Sequence, residues 1–415
     1  MHKIERLLQT LAPNGVEFKT LEEVFEIKNG YTPSKNNPEF WKNGTIPWFR
    51  MEDIRENGRI LKDSIQHITP KALKGKKLFP KNSIIISTTA TIGEHALLIV
   101  DSLANQRFTF LSKKANCNLA LDMKFFFYQC FLLGEWCKKN TNVSGFASMD
   151  MTAFKKYKFP IPPLEIQQEI VKILDAFTEL NTELNIELKA RKKQYQYYQN
   201  MLLDFNDINQ NHKDAKEKLT QKPYPKRLKT LLQTLAPNGV EFRKLGEVCD
   251  FQKGKSITKK AVTFGKVPVI SGGRQPAYYH NEANRSGETI AISSSGVYAG
   301  YVSYWDIPVF LADSFSVSPK QKTLMPKYLF HYLTTQQDAI HATKSTGGIP
   351  HVYSKDLQNF LIPIPPLEIQ QEIVKILDQF SILTTDLLAG IPAEIKARKK
   401  QYEYYREKLL TFSNP

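Results

Sequence analysis

From Ile166 onward, apolar residues recur at steps that alternate between four and three: Ile166, Ile170, Ile173, Phe177, Leu180, Leu184 and Leu188. After a break at Arg191 the seam resumes as Tyr195, Tyr198, Leu202 and Phe205. This spacing predicts a helix that packs along one stripe against another helix. Pro162 and Pro163 suit its start, where a missing N–H costs nothing. Glu165 and Glu169 place anions in the early turns, which the helix dipole favours. About 43 residues at 1.5 Å each make a rod of roughly 64 Å, too long for one ordinary domain core. The stripe therefore needs a partner, and the chain supplies one. A second seam runs Ile369, Ile373, Ile376, Phe380, Leu383, Leu387, Ile391 and Ile395, then Tyr402, Tyr405, Leu409 and Phe412.

The two seams are copies. PIPPLEIQQEIVKILD occupies residues 160–175 and again 363–378, and KARKKQY follows each copy at Lys189–Tyr195 and Lys396–Tyr402. A third repeat, LLQTLAPNGVEF, stands at Leu7–Phe18 and Leu231–Phe242. The order is N-element, variable block and long helix, twice over, which is an internal duplication. Ile166 matches Ile369 at an offset of 203, whereas Tyr195 matches Tyr402 at 207. The second helix thus holds extra residues at its middle, where Gly390 and Pro392 lie, and it is expected to bend or break near Leu388–Pro392. The middle of the first helix is a tetrapeptide repeat, Thr178–Asn181, Thr182–Asn185 and Ile186–Lys189, whose leucines step four and four, a stutter in the coil. Identity extends to positions that a seam does not need. Gln167, Gln168, Glu169 and Lys172 recur as Gln370, Gln371, Glu372 and Lys375. Read as exposed, they present one surface twice, to two copies of one binding partner. Recent duplication with uneven recombination is the alternative.

The blocks between the repeats have drifted apart and are mixed in character. Ser83–Ser87 and Ala96–Val100 in the first, and Val267–Ser271, Thr289–Ser293 and Pro308–Leu311 in the second, are short apolar runs that suit strands. Leu121–Cys137 and Met325–Thr334 suit helices, as do residues 3–12, which Pro13-Asn14-Gly15 closes with a turn. Ser144-Gly145-Phe146-Ala147 and Gly347-Gly348-Ile349-Pro350 occupy matching places. Residues 206–226 are polar, without an apolar period, and read as a linker. The expected architecture is α/β (α+β): globular domains at 1–160 and 227–362, and two long coiled-coil helices at 161–205 and 363–412. The whole is an internal pseudo-twofold repeat.

Charge narrows the function. With 57 Lys and Arg against 41 Asp and Glu, the net charge is +16, and the pI is near 9.4. That balance points to nucleic acid or an acidic partner. The four cysteines show no CxxC spacing and read as reduced thiols of a cytoplasmic protein. No secretory leader is read at the start, and the most apolar run, Phe125–Leu133, is too short to span a bilayer.

Catalytic motifs fail on inspection. Gly254-Lys255-Ser256 resembles the end of a phosphate loop, but Cys249 stands where the first glycine is required. Asn37-Pro38-Glu39-Phe40 resembles the target-base motif of amino-methyltransferases, but lacks a second proline at Glu39 and an accompanying cofactor loop. The E-x-K words at Glu187 and Glu394 lie on the long helices, without an upstream strand-borne aspartate. No zinc spacing or serine–histidine set stands out. Nucleic-acid chemistry is better represented. The first block offers Lys28, Lys35, Asn36, Asn37, Arg50, Lys76, Asn105, Gln106 and Arg107. The second offers Lys253, Lys255, Lys259, Arg274, Gln275, Tyr278, Asn281, Ser294 and Lys344. Arginine and lysine suit guanine edges and phosphates, and asparagine and glutamine suit adenine. For any one of them a solvated basic surface is the bland reading, and only clustering in loops between strands favours DNA. The basic runs Lys189–Lys193 and Lys396–Lys400 suit a solvated helix face or phosphate contacts equally.

Along its whole length the chain resembles the specificity subunit of type I restriction-modification systems. Pro-Ile-Pro-Pro-Leu-Glu-Ile-Gln-Gln-Glu-Ile, in both copies, resembles the family's helix start. Gly30-Tyr31-Thr32-Pro33 with Phe40-Trp41 and Ile46-Pro47-Trp48 resembles one class of target-recognition domain. Val267–Gly273 with Ile290–Ser293 resembles another. The resemblance implies two DNA target-recognition domains joined by two antiparallel helices, with each domain reading half of a split, asymmetric double-stranded DNA site. It implies two modification subunits, which supply S-adenosylmethionine-dependent adenine methylation, and two restriction subunits, which use ATP and magnesium. This chain would itself be non-catalytic and bind no cofactor or metal. A stand-alone DNA-binding regulator is the first rival, which co-purification with a methyltransferase subunit excludes. A coiled-coil adaptor without a DNA role is the second, which sequence-dependent, salt-sensitive DNA binding excludes.

Overall fold

The computed structural model describes residues 2–142, 147–210, 213–320, 322–345, 348–385 and 390–412. It divides into two compact units. The first comprises Met1–Glu183 with Ile395–Pro415, and the second comprises Leu184–Glu394.

The first unit is closed by its own ends. Glu17–Thr20, in the N-element, pairs antiparallel with Lys158–Ile161, the strand just before the long helix. Between them lies a five-stranded sheet in the order Phe25–Asn29, Phe108–Lys113, Ile84–Ser87, His95–Leu98, Ile60–Leu61. A smaller sheet orders His67–Ile68, Ile46–Phe49 and Leu103–Ala104. The helix Met123–Lys139, capped by Asp122, covers the larger sheet with Phe125, Phe126, Cys130 and Leu133. Asp122 accepts the N–H groups of Lys124 and Phe125, as a capping side chain should.

The second unit repeats this plan. Phe242–Lys244 pairs with Leu361–Pro363. A four-stranded sheet orders Cys249–Lys253, Ser314–Pro319, Thr289–Ser293 and Val302–Trp305. A three-stranded one orders Tyr278–His280, Val267–Ile270 and Phe310–Leu311. The helix Pro326–Thr335 takes the place of Met123–Lys139. The five apolar runs read as strands are strands, their ends shifted by no more than two residues.

The first long helix spans Leu164–Leu203. Its opening turns have two apolar faces, not one. Ile166, Ile170 and Leu174 are fully buried against the first globular block. Phe177, on the seam, stacks on Tyr405 at 5.6 Å within the same unit. In the second unit Tyr198 stacks on Phe380 at 5.0 Å, the same pairing with the helices exchanged. Ile369, Ile373 and Leu377 repeat the buried face.

The expected break in the second long helix is present. It forms two helices, Leu367–Thr385 and Gly390–Leu410. Leu388 itself lies outside the described residues. Gly390 has φ +72°, and a Cβ there would come within 2.5 Å of the Ile382 carbonyl, so only glycine fits. Pro392 sits in the first turn of the new helix, where its missing N–H is harmless.

One expectation is overturned. Residues 206–226 are not a free linker. Among those described, Ile208, Ala215, Leu219 and Tyr224 are buried in the core of the second unit. Ala215–Gln221 is a helix. Ala215 and Leu219 are four apart on that helix and share its buried face, while Ile208 is buried at the end of the separate turn Asn206–Ile208. Ser144, Gly145 and Phe146, and Gly347, lie outside the described residues. No described helix is long and apolar enough to cross a membrane.

Candidate nucleic-acid interface

Where the strand Phe25–Asn29 ends, Gly30 donates its N–H to Phe108 O at 2.8 Å and Tyr31 donates to Ala104 O at 2.7 Å. A Cβ on Gly30 would lie 2.2 Å from Asn105 O, so this crossing of backbones requires glycine. From the other side, Ile46–Phe49 runs parallel to Leu103–Ala104 and delivers Arg50, while Asn105 donates its N–H to Phe49 O at 3.0 Å. These bonds bring Lys35, Arg50, Asn105, Gln106 and Arg107 around one cleft of 310 Å³, with Thr32, Trp48 and Ser87.

The cleft is held in shape. The loop at its rim is a turn in which Asn105 Oδ1 accepts the Arg107 N–H at 3.0 Å, and Thr32 Oγ1 bonds to Gln106 Oε1. Buried Asp53 accepts the Arg50 N–H at 2.6 Å and the Ile65 N–H at 2.7 Å, fixing the backbone beneath Arg50. The Arg50 guanidinium lies over the Trp48 ring at 5.8 Å. Its Nε is buried without a hydrogen-bond partner, 3.8 Å from Glu52.

The other residues singled out in this block lie apart. Lys28 pairs with Glu26 at 3.0 Å. Asn37 Oδ1 caps the turn Pro38–Phe40 by accepting the Glu39 N–H at 3.0 Å, a structural role that also accounts for the methyltransferase-like word. Asn36 is exposed beside it. The Lys76 ammonium stands over the Tyr31 ring at 4.2 Å.

The second unit builds the same crossing. Gly254 donates to Ser314 O at 2.8 Å and Lys255 to Leu311 O at 2.9 Å. A Cβ on Gly254 would lie 2.5 Å from Leu311 O. The Gly-Lys-Ser word is therefore a backbone crossing and cradles no phosphate loop. Val267–Ile270 runs parallel to Phe310–Leu311 and leads into the turn that carries Arg274. The Arg274 guanidinium is exposed, over Tyr298 at 4.9 Å and Tyr301 at 5.6 Å. Burial, with Lys344 and Arg274 nearby, holds His341 below its usual range. Arg274 and Lys344 thus share one neighbourhood, and Ser294 adjoins it through Val352, whose N–H it accepts at 2.9 Å. Lys253 and Lys255 are exposed at the start of the crossing, and Lys259 is exposed on the turn Lys259–Ala261. Tyr278 and Asn281 belong to the outer strand of the small sheet and its end, and Gln275 lies in the turn before it.

The duplicated helix start requires a correction. Gln167 and Gln370 are fully buried and are not surface residues. The Gln167 amide accepts the Asp122 N–H at 2.8 Å and donates to Ala120 O at 2.8 Å and Pro162 O at 2.7 Å. Gln370 makes the same three bonds, to Met325 N–H, Thr323 O and Pro365 O. Glu169 is paired with Lys3, and Glu372 with Arg227, each joining the N-element to the helix. Asp175 binds Lys124 and Tyr128, while Asp378 binds Lys327 and His331. Docking inside each unit thus accounts for much of the identity. Gln168, Lys172, Gln371 and Lys375 remain exposed in both copies.

Comparison with known proteins agrees with this architecture. The family model for the type I restriction modification DNA specificity domain matches twice, over residues 13–191 and 237–397. The EcoprrI specificity subunit of Escherichia coli is 40% identical over 387 residues, covering 90% of this chain and 89% of the relative. The solved structure of the type I S subunit from M. genitalium shares the fold, with a TM-score of 0.56 at 19% identity over 97% of this chain and 98% of that one. A chain from a structure of the type I restriction-modification system has a TM-score of 0.55 at 18% identity, covering 96% and 97%. With both halves matched and both built on the same frame, the chain belongs to the type I restriction-modification specificity subunit family.

Proposed function

We propose that this chain is the DNA-reading subunit of a cytoplasmic type I restriction-modification complex. Its two globular blocks bind the two halves of an asymmetric double-stranded site. The observation that carries this reading is one hydrogen-bonded frame, built twice, holding different polar loops at its crossing. Two different readers in one chain call for two different half-sites. The first reader is the cleft of Lys35, Arg50, Asn105, Gln106 and Arg107, and the second centres on Arg274, Ser294 and Lys344. The surface shown twice, Gln168 with Lys172 and Gln371 with Lys375, suits two copies of one modification subunit. One solved neighbour comes from work on complex assembly of a type I system, which supports assembly with modification and restriction subunits. In this reading the chain carries no catalytic centre or cofactor. S-adenosylmethionine, ATP and magnesium act on the partner subunits.

Reconstitution tests this. The purified chain alone should neither methylate nor cleave DNA. With a modification subunit and methyl donor it should methylate adenine at a two-part sequence. Turnover by the isolated chain, or sequence-independent methylation by the complex, would contradict the assignment.

A further inference from the structure

The backbone bonds allow the two crossings to be matched residue by residue. Tyr31 N–H to Ala104 O corresponds to Lys255 N–H to Leu311 O. Asn105 N–H to Phe49 O corresponds to Ala312 N–H to Ile270 O. Thr88 donates its N–H to Arg107 O at 3.1 Å, and Ser294 donates its N–H to Asp313 O at 3.0 Å. Gly93 bonds to Ser87 O as Gly300 bonds to Ser293 O. Asp313 therefore occupies the place of Arg107, and Ser271 and Ala312 occupy those of Arg50 and Asn105. The loop that holds cations and amides in the first unit holds a carboxylate in the second.

We propose that Asp313 is a base-reading residue of the second half-site and selects a base that offers a major-groove amino group, cytosine N4 or adenine N6. This rests on the DNA-reading function proposed above. Asp313 is exposed at the tip of the crossing, in a chain of net charge +16. A carboxylate there repels phosphates and the keto oxygens of guanine and thymine, and gains only from a donor. Ser295 donates its hydroxyl to Asp313 Oδ2, which fixes the carboxylate plane. An ionised carboxylate has about four lone-pair sites, so capacity for a base amino group remains. Gly272 lies beside the carboxylate, and a Cβ there would come within 2.6 Å of Ser295 O, so the close approach of these two segments needs glycine. Nothing in the sequence marks Asp313. It emerges only when the two frames are matched.

The test is methylation of a DNA library randomised across both half-sites, by the chain assembled with its modification subunit. Asp313→Asn keeps the side chain's size and an acceptor for Ser295, so the loop is preserved. The parent should demand cytosine or adenine at one position of the second half-site. Asp313→Ala should relax that demand about tenfold or more, leaving every other position unchanged, whereas Asp313→Asn should favour adenine there. Arg107→Ala should relax a position in the other half-site. Ser295→Ala separates reading from anchoring. If Asp313 merely anchors its loop, Ser295→Ala and Asp313→Ala weaken all sequences alike, and the assignment fails. It fails equally if Asp313→Ala keeps the parent's preferences throughout. A parental complex that methylates without preference overturns the DNA-reading function itself, a result distinct from either.

Discussion

Arg107 in the first unit and Asp313 in the second each accept, through the main-chain carbonyl, the N–H of the residue that follows a central strand. Around them the frame is the same: a glycine at the crossing, an x-Pro strand beside it, and a glutamine clamp at the base of the long helix. The side chains carried on that frame differ in charge and size. Backbone bonds, the two crossing glycines and the clamp constrain geometry, so they recur. Loops that constrain nothing in the fold are free to diverge, and those are the places where sequence reading belongs. The same logic explains much of the sixteen-residue identity of the helix start, whose buried residues hold each unit together, while Gln168 and Lys172 and their copies stay exposed.

The largest expected effect is on recognition. Exchanging residues 19–158 for the first block of another family member should replace one half-site and leave the other intact, as read by methylation mapping. Change in both halves would show that the units do not read independently.

The frame was largely legible in the sequence, because it rests on periodicity and on exact repeats. The long helices, the break at Gly390 and the strands Ile84–Ser87, His95–Leu98, Val267–Ile270, Thr289–Ser293 and Phe310–Leu311 follow from apolar spacing, whereas the other strands are not marked by it. The inner face of the helix start was missed. Leu174 lies off the seam, and Gln167 and Gln370 are polar residues that spacing places at the surface, yet three hydrogen bonds each make burial tolerable. Of the nine candidate residues in the first block, five converge on one cleft. They do so because the Gly30 crossing joins segments some 70 residues apart. Asp53 and Asp313 carry no local signal at all.

The clamp should be the costliest single site for stability. Gln167→Leu leaves an N–H and two carbonyls unpaired in the interior, a loss of about 3 kcal/mol or more. Hydrogen exchange should show protection lost across residues 120–174 and retained in the second unit. Gln370→Leu should do the reverse. Loss in both units from either variant would break the picture of two separately built halves.

Base reading comes next. Arg274→Ala should cost about 1–3 kcal/mol against DNA with the cognate base and less against others, as measured by binding of the assembled complex. A uniform loss would mark Arg274 as a phosphate contact.

Acid should separate the units. His95 is buried between Phe127 and Phe131, its Nε2 without a hydrogen-bond partner, and burial with Arg59 nearby pushes its pKa down to about 3. The folded unit holds it neutral, while the unfolded chain takes up a proton below about 6.5. Stability of the first unit should therefore fall as pH drops from about 6.5 towards 3. The second unit has Val302 at the matching position, opposite Ile292 as His95 is opposite Ile86. Urea midpoints at pH 7 and pH 5 should move less in His95→Leu than in the parent.

The smallest effect concerns spacing. Deleting Thr182–Asn185 removes roughly 6 Å of helix, against about 3.4 Å per base pair of DNA. Methylation mapping should find the gap between half-sites shortened by about one base pair, with both halves unchanged in sequence. An unchanged gap at full activity would assign the distance to the second long helix or to the blocks.

The central claim is that one frame, built twice, reads two different sequences. It is tested most directly by mapping methylated adenines in DNA from cells with and without this chain. The account predicts one two-part asymmetric site, with different halves, whose methylation disappears when the chain is removed. A site with two identical halves, or methylation that persists without the chain, would contradict it.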